Sequence, residues 1–420
     1  MNKKHVFLHE VLSQIKSKEA KKYVADELSY HLKEAKNEWI EKGLLETEAE
    51  EKAIKQMGSP VILGQQLNKL HRPKVDWILV ILLLTIFGLG FLPMFSIGGM
   101  GEYLLTSKVV ITLIGCAATL GIMLIDYRKL KKQGWLFYLI GVFILLVLRL
   151  FSNTMINGLP FLRIGPLTIE TIMSLPFFFL AWASLFSYER LKVWQFSVLF
   201  LLPIILFSTV PSMSTTYIYT IMVFTMLWWS KFSRKMVLWI WGVSVSFFLL
   251  VSFISWMFLS FYQKDRLLAY LNPEKYSDGP GFMILRVKEL LSKAGWFGNS
   301  MNNEFIPEAH TNLVLVSFTY YYGWLFAIAL VLILFLFGAR IIAITSRIKD
   351  SYGRLLLIGA VALYTVQLAT NIGMTLGIFP LISMSLPFIS YGLMPTLLNA
   401  ILIGIVLSVF RRKDLTSKQI

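Results

Sequence analysis

The chain has 420 residues, of which 56% are hydrophobic and 15% are charged, and its formal net charge is +16 at pH 7. Apolar runs of about 20 residues, the length that crosses a bilayer, recur along most of the chain, so it is not an ordinary water-soluble protein. The positive charge does not indicate nucleic-acid binding either, because the lysines and arginines are spread over many short loops and form no single groove-sized patch.

Residues 1–73 are predicted to form a small soluble helical domain, since apolar residues recur there at helical spacing between lysines and glutamates. Gly43 is expected to end the second helix. Thr47 and Glu50 then form a T-x-x-E pattern that predicts a capping box for a third helix. No run of signal-peptide length precedes the first apolar span, so we expect that span to act as the insertion signal.

This N-terminal segment resembles the helical prefix domain that precedes some bacterial permeases and signalling proteins. The similarity rests on an E-L-x-x-H-L stretch, from Glu27 to Leu32, and on the run Met57–Pro60. It implies a cytoplasmic regulatory or protein-interaction role. We expect no metal at His31, because no second ligand stands at metal-binding spacing.

The rest of the chain is predicted to be an all-α, polytopic membrane domain with about ten spans. The predicted spans lie at about residues 77–96, 108–126, 135–152, 168–187, 194–210, 214–231, 235–262, 312–338, 355–378 and 386–410.

Basic residues predict the orientation of these spans. Clusters such as Arg128–Lys132 and Arg411–Lys413 follow the even-numbered spans. The positive-inside rule makes that face cytoplasmic, together with both termini. The segment from about 263 to 311 is then a large external loop; it is basic, but long loops are translocated largely regardless of charge.

A polar segment at the end of this loop is the first candidate site. Glu308, His310, Thr311 and Asn312 directly precede the eighth span. Polar groups at the mouth of a membrane bundle are costly to retain and often functional. The alternative is that they simply cap the helix, where the charge of Glu308 suits the helix dipole.

Several motifs identify the transmembrane part as a member of the RodA, FtsW and SpoVE (SEDS) family, over roughly residues 75–412. The first is Asn371-Ile-Gly-Met374, followed by Leu386–Gly392, which reads L-P-F-I-S-Y-G, and by Asn399. The second is Pro307–Thr311, which matches the P-E-x-H-T of the family's external loop, with a downstream glycine at Gly323.

The resemblance implies a protein of the bacterial cytoplasmic membrane that acts in cell shape, division or sporulation. Family members polymerise lipid II, a polyprenyl-linked peptidoglycan precursor, on the outer face of that membrane with a class B penicillin-binding protein. It implies catalytic positions at Glu308, His310, Thr311 and Asn312. The implied substrate-binding residues are Arg266, Arg286, Lys288, Asn371, Ser390 and Tyr391. We expect no cofactor, and no metal, because no ligand cluster occurs.

The chain departs from the family pattern at the catalytic position itself. Asn312 stands where the family has aspartate in H-T-D, and an amide cannot accept a proton at neutral pH. Other polar motifs have changed as well. These lie at Glu170–Met173, Pro211–Thr215, Tyr320 with Tyr321, and Leu393 with Met394.

Three hypotheses remain open. We favour a SEDS-type protein that binds lipid-linked precursor or a partner synthase with reduced or absent catalysis. The alternative is an active glycosyltransferase with Glu308 as the base, or Glu304 or Asp278 in its place. The third is a lipid transporter, which is weakest because the spans contain few charges apart from Glu170 and Asp126.

Overall fold

The structure is a computed structural model, and it describes residues 3–71, 73–96, 101–156, 159–165, 167–188, 191–210, 212–258, 261–299 and 304–415. The chain divides into two compact units. The first contains Met1–Asp76 and Val409–Ile420, and the second contains Trp77–Ser408.

The first unit contains four helices where the sequence predicts them. They are α1 (Lys3–Ser13), α2 (Lys18–Glu41), α3 (Glu46–Gln56) and α4 (Pro60–His71). The predicted capping box is wrong, because α3 begins one residue before Thr47 and its N-cap is Leu45, which makes no side-chain cap bond. Glu46 and Glu48 instead place negative charge in the first turn, which suits the helix dipole.

The C-terminal residues belong to this first unit. Leu415 is part of the same hydrophobic core as Val11 and Val24. The Nη2 of Arg412, a residue only 1% exposed, lies 2.8 Å from the Oε1 of Glu19. The unit therefore joins both ends of the chain, and a separate domain of residues 1–73 stays a prediction.

The second unit is built of long helices and a few short ones. They are α5 (Trp77–Leu89), α6 (Leu92–Ser96), α7 (Gly101–Leu124), α8 (Tyr127–Leu130), α9 (Gly134–Phe151), α10 (Leu175–Ser187), α11 (Val193–Thr209), α12 (Met213–Trp228), α13 (Arg234–Phe258), α14 (Phe261–Leu271), α15 (Phe282–Lys293), α16 (Val314–Thr345), α17 (Ser351–Thr375) and α18 (Leu393–Arg411). Three short antiparallel strands, which the sequence did not predict, join α9 to α10 in the order β1 (Thr154–Ile156), β2 (Leu159–Ile164) and β3 (Leu167–Ile169).

Seven helical segments in the described residues are long and apolar enough to cross a membrane. Two shorter apolar helices, Thr171–Ser187 and Val193–Thr209, lie at the fourth and fifth predicted spans. The 16-residue helix α12 lies at the sixth. The predicted all-α, polytopic class is confirmed.

Several span boundaries differ from the prediction, and one of them is the end of the eighth span, where α16 runs to Thr345 and not to residue 338. The last span begins at Leu393 and not at residue 386, because residues 386–392 form a turn in which Phe388 (φ 64°) and Gly392 (φ 150°) leave the helical region. The second span begins at Gly101, so Lys108 lies about two turns inside α7 and not at its end.

Helix α16 is broken at Gly323, which has φ 88° and ψ 169°. The loop at residues 295–299 fills the break: Asn299 N donates to Tyr320 O at 2.8 Å, and Trp324 N donates to Gly295 O at 3.1 Å. A Cβ on Gly323 would lie 2.3 Å from the carbonyl oxygen of Trp296. Only glycine fits this backbone, and the break separates the polar start of α16 from its apolar body.

Candidate functional site

Residues 307–313 form a tight turn, which we call the Asn312 turn, directly before α16. Glu308 lies in the left-handed region, with φ 49°, which is unusual for a residue other than glycine. Its carbonyl accepts hydrogen bonds from Thr311 N at 3.0 Å and Leu313 N at 3.2 Å. The hydroxyl of Ser317 donates to Ala309 O at 2.7 Å. The turn is therefore held by its own backbone and by the first turn of α16.

The side chains of Asn312 and Glu308 are directly hydrogen-bonded to each other. The Nδ2 of Asn312 donates to the Oε2 of Glu308 at 2.6 Å, and both residues are half-buried. The amide thus occupies one oxygen of the nearest carboxylate. This contact places Glu308, the alternative base predicted from the sequence, directly beside Asn312.

His310 is half-buried, and its ring packs edge-on against Tyr391, with centroids 5.5 Å apart. Burial lowers the pKa of His310, and the charge of Glu308 opposes that shift. Because the ordinary pKa is already about 6.5, the imidazole is mainly neutral at pH 7. It can therefore donate or accept a hydrogen bond, but it adds little positive charge for a diphosphate.

A second segment, residues 384–391, also holds the Asn312 turn in place. The hydroxyl of Ser390 donates to Thr311 O at 2.6 Å, and Tyr391 N donates to His310 O at 2.7 Å. The Nδ2 of Asn371 donates to Asn312 O at 2.8 Å and to Met384 O at 2.7 Å. The structure thus brings together seven of the predicted residues from three distant segments.

In this arrangement Asn371 and Ser390 face backbone carbonyls. Both are buried, and their donors are occupied by the contacts just described. They hold the Asn312 turn in place. Direct substrate binding by these two residues stays a prediction.

The basic residues that were predicted to bind substrate, on the loop at residues 263–311, are less available to an anionic ligand. Arg286 on α15 pairs with Glu289 at 2.8 Å and with Glu304 at 2.5 Å, and it also donates to Phe305 O. Lys293 lies 2.6 Å from Glu289 and 3.3 Å from Glu304. Arg286 can bind a diphosphate only by giving up these ion pairs.

Lys288, on the same helix, is exposed. The side chain of Arg266 lies outside the described residues. Of the two predicted cations whose side chains are described, Arg286 and Lys288, Lys288 is therefore the more open to an anionic ligand.

The other candidate carboxylates are less suited to act as a base. Hydrogen bonds from Arg286 and then Lys293 hold the pKa of Glu304 below its usual value. A lowered pKa makes a carboxylate a weaker base. Asp278 is exposed on the surface of the loop. Glu308 remains the best-placed carboxylate.

Tyr320 and Tyr321, which the sequence predicts to depart from the family pattern, lie in a hydrophobic cluster with residues of α15. Tyr320 is fully buried, and both rings pack with Val287 and Leu290. A hydrophobic core that includes these two rings therefore joins α15 to α16.

A second polar cluster joins two of the altered motifs. Thr171 Oγ1 lies 3.1 Å from Ser212 Oγ and 3.0 Å from Thr215 Oγ1, and Ser212 donates to Thr215 at 2.8 Å. Glu170 is half-buried directly before this cluster, whereas Pro211 lies outside the described residues. The hydroxyls satisfy one another, so the cluster is explained as packing between α10 and α12.

Lys108 was not predicted from the sequence to belong to the candidate site. Lys108 is 1% exposed, and its Nζ donates to Ile389 O and Ser390 O, each at 2.9 Å. A lysine two turns inside an apolar helix is the signal that would have identified it.

Among the described residues, no three His, Cys, Asp or Glu side chains form a group that could hold a metal. The absence of a metal and of a cofactor stays a prediction.

Comparison with solved structures supports the fold. A chain from a structure titled "Structural coordination of polymerization and crosslinking by a peptidoglycan synthase complex" superimposes with a TM-score of 0.71 at 24% identity, covering 81% of this chain and 98% of that one. The crystal structure of the Thermus thermophilus rod shape determining protein RodA has a TM-score of 0.60 at 19% identity, with 81% and 97% covered.

Curated relatives match in part. A probable peptidoglycan glycosyltransferase FtsW of Trichlorobacter lovleyi is 30% identical over 155 residues, which cover 36% of this chain and 41% of the relative. The peptidoglycan glycosyltransferase MrdB of Escherichia coli K12 is 27% identical over 230 residues, covering 53% and 61%. The matches thus span less than two thirds of these relatives' lengths.

The family model of the cell cycle proteins FtsW, RodA and SpoVE matches residues 74–415. That range contains every apolar helix described above. The chain is a multi-pass membrane protein and belongs to the FtsW, RodA and SpoVE family.

Proposed function

We propose that this chain binds a lipid-linked peptidoglycan precursor, lipid II or a close relative, at the Asn312 turn. Its role is in bacterial cell-wall synthesis, with little or no catalysis of its own. The observation that most supports the proposal is the 2.6 Å hydrogen bond from the Asn312 side chain to the Glu308 side chain. It lies inside a turn whose other residues match the family motif. The names of the curated relatives support the substrate class.

Loss of catalysis follows from what the site must do. Polymerisation requires a base that takes a proton from the acceptor hydroxyl while the diphosphate leaves. Asn312 cannot take that proton, and loss of a general base removes about two to four decades of rate. Binding survives such a loss, because it depends on cations and shape.

A second candidate function is an active glycosyltransferase that uses Glu308 as its base. The same contact favours it, because the Glu308 carboxylate lies within hydrogen-bonding distance of the side chain at the family's catalytic position. A short side-chain displacement would let this carboxylate reach an acceptor hydroxyl.

Binding of labelled lipid II to the purified protein in nanodiscs tests the first proposal. Lys288→Gln is expected to weaken binding about three- to tenfold, because an exposed cation attracts the diphosphate. Lys349→Gln, at an exposed position between α16 and α17, is the matched control and should bind like the wild type. Failure of the wild-type protein to bind lipid II would contradict the proposed function.

We propose as partners the membrane and a class B penicillin-binding protein. The solved neighbour from a peptidoglycan synthase complex supports such a partner. We also propose that the chain lies in the bacterial cytoplasmic membrane with both termini inside, because the basic clusters follow the even-numbered spans.

Cysteine labelling in whole cells tests this orientation. Ser277 and Ser346 are both exposed, and Cys116, the only cysteine of the chain, can be replaced by alanine first. A cysteine at position 277 is expected to react with an impermeant maleimide, whereas one at position 346 should react only after lysis. The reverse pattern would place the Asn312 turn in the cytoplasm and remove it from the outer-face substrate.

A further inference from the structure

Lys108 is a buried cation whose partners are backbone carbonyls. Its Nζ donates to Ile389 O and Ser390 O at 2.9 Å each, and to Phe388 O at 3.4 Å. Among the described residues, no carboxylate lies within ion-pair distance of it. A buried charge is retained only where other groups replace its hydration, and three successive carbonyls match the three N–H donors of the ammonium.

The turn that Lys108 binds is conformationally strained. Phe388 lies in the left-handed region, with φ 64°, which is costly for a bulky side chain. Its ring is buried against Phe87, at 5.3 Å, and Phe337, at 5.7 Å. A strained backbone persists only where its surroundings over-determine it. Here those surroundings are the two rings and the Lys108 ammonium.

The opposite side of the same turn holds the candidate site. Ser390 offers its carbonyl to Lys108 and donates its hydroxyl to Thr311 O at 2.6 Å. The next residue, Tyr391, donates its N–H to His310 O at 2.7 Å. Only one residue therefore separates the Lys108 ammonium from the backbone of the Asn312 turn.

We propose that Lys108 is a positioning residue for the substrate site. The Lys108 ammonium fixes the turn at residues 386–391 by binding the backbone carbonyls of that turn. That turn then fixes the backbone of residues 310–312. The proposal rests on the proposed function for the role of the Asn312 turn in substrate binding. Its test measures how far the turn is protected from hydrogen exchange in the absence of substrate. Failure of this proposal can therefore be distinguished from failure of the proposed function.

Hydrogen–deuterium exchange of the purified protein in nanodiscs, without lipid II, tests the proposal. Lys108→Met keeps the apolar stem and removes the ammonium. It is expected to raise exchange at least about tenfold in peptides covering residues 386–391 and 308–313, while peptides of α17 keep wild-type protection. Lys108→Arg should restore most of the protection, because a guanidinium also donates to several carbonyls. Lys235→Met, at an exposed position of α13, is the matched control and should change nothing.

Ser390→Ala separates the two steps of the proposed path. It removes the bond to Thr311 O and the bond that Leu386 N donates to Ser390 Oγ at 2.8 Å, and it leaves the Lys108 contacts in place. Exchange should therefore rise in residues 308–313 and at the Leu386 amide, but not at residues 388–390. Two results would overturn the proposal. One is a Lys108→Met protein in which residues 386–391 loosen but residues 308–313 do not. The other is loss of protection along α17 in both Lys108→Met and Lys108→Gln, which would mean that the lysine supports the bundle as a whole.

Discussion

Asn312→Asp is expected to raise lipid II polymerisation about a hundredfold or more over the wild-type protein, which should be almost inactive alone. The substitution places a carboxylate at the proposed catalytic position with almost no change of side-chain size, and a general base contributes about two to four decades of rate. The measurement is glycan-strand formation by purified protein in a preparation free of other synthases.

The restored site should also depend on pH. The introduced carboxylate would lie where the Asn312 amide now bonds the Glu308 carboxylate at 2.6 Å. Two carboxylates this close share a proton, which raises one pKa above its usual value. A base with a raised pKa is protonated at low pH, so activity should rise with pH. The double variant Asn312→Asp, Glu308→Gln should move the rise to lower pH.

Two further variants distinguish the candidate functions. Asn272→Asp adds a carboxylate at an exposed loop position and should leave the wild-type rate unchanged. Glu308→Gln should have no effect on an already inactive protein. Robust polymerisation by the wild type that falls about a hundredfold in Glu308→Gln would instead establish Glu308 as the base.

Gly323→Ala is expected to lower the thermal midpoint of the purified protein strongly and to abolish lipid II binding. The new Cβ would lie 2.3 Å from Trp296 O and 2.5 Å from Gly298 N, at a residue with φ 88°. The backbone strain alone costs about 1–3 kcal/mol, and the clash adds displacement of the loop that fills the helix break. The measurement is thermal unfolding in detergent, followed by the lipid II binding assay.

Gly121→Ala on α7 is the matched control. Gly121 has ordinary helical backbone, and a Cβ there would meet no atom within 4 Å. Alanine is favoured over glycine inside a helix by about 1 kcal/mol, so this variant should melt at or slightly above the wild-type midpoint. Equal midpoints for the two variants would show that the α16 break tolerates a side chain.

The predicted spans agree with the structure where apolar length alone decides, as in α9 and α17, because a run of about 20 apolar residues has few alternatives to a spanning helix. They differ where tertiary contacts decide. Residues 386–392 are apolar enough to extend the last span, yet Phe388 lies outside the helical region, with its ring packed against Phe87 and Phe337. Propensity is a weak prior against such packing.

For the candidate site, too, some features were identifiable from the sequence and others only from the structure. The run from Glu308 to Asn312 was identifiable from the sequence because its residue types and order are local. The ion pairs of Arg286 were not, because Glu304 stands 18 residues away along the chain and pairs with it through the fold of the loop. A basic residue in a sequence therefore indicates an anion-binding site only if the fold places no acidic residue beside it.

The sequence by itself determined the membrane class and the family, and it predicted that Asn312 stands at the family's catalytic position, because each depends on composition or on residues close together in the chain. Only the tertiary structure decided what holds that residue. Asn371 reaches the Asn312 carbonyl across 59 residues, and Lys108 reaches the Ser390 carbonyl across 282. Contacts at such separations follow from how the helices pack, and no local pattern encodes them.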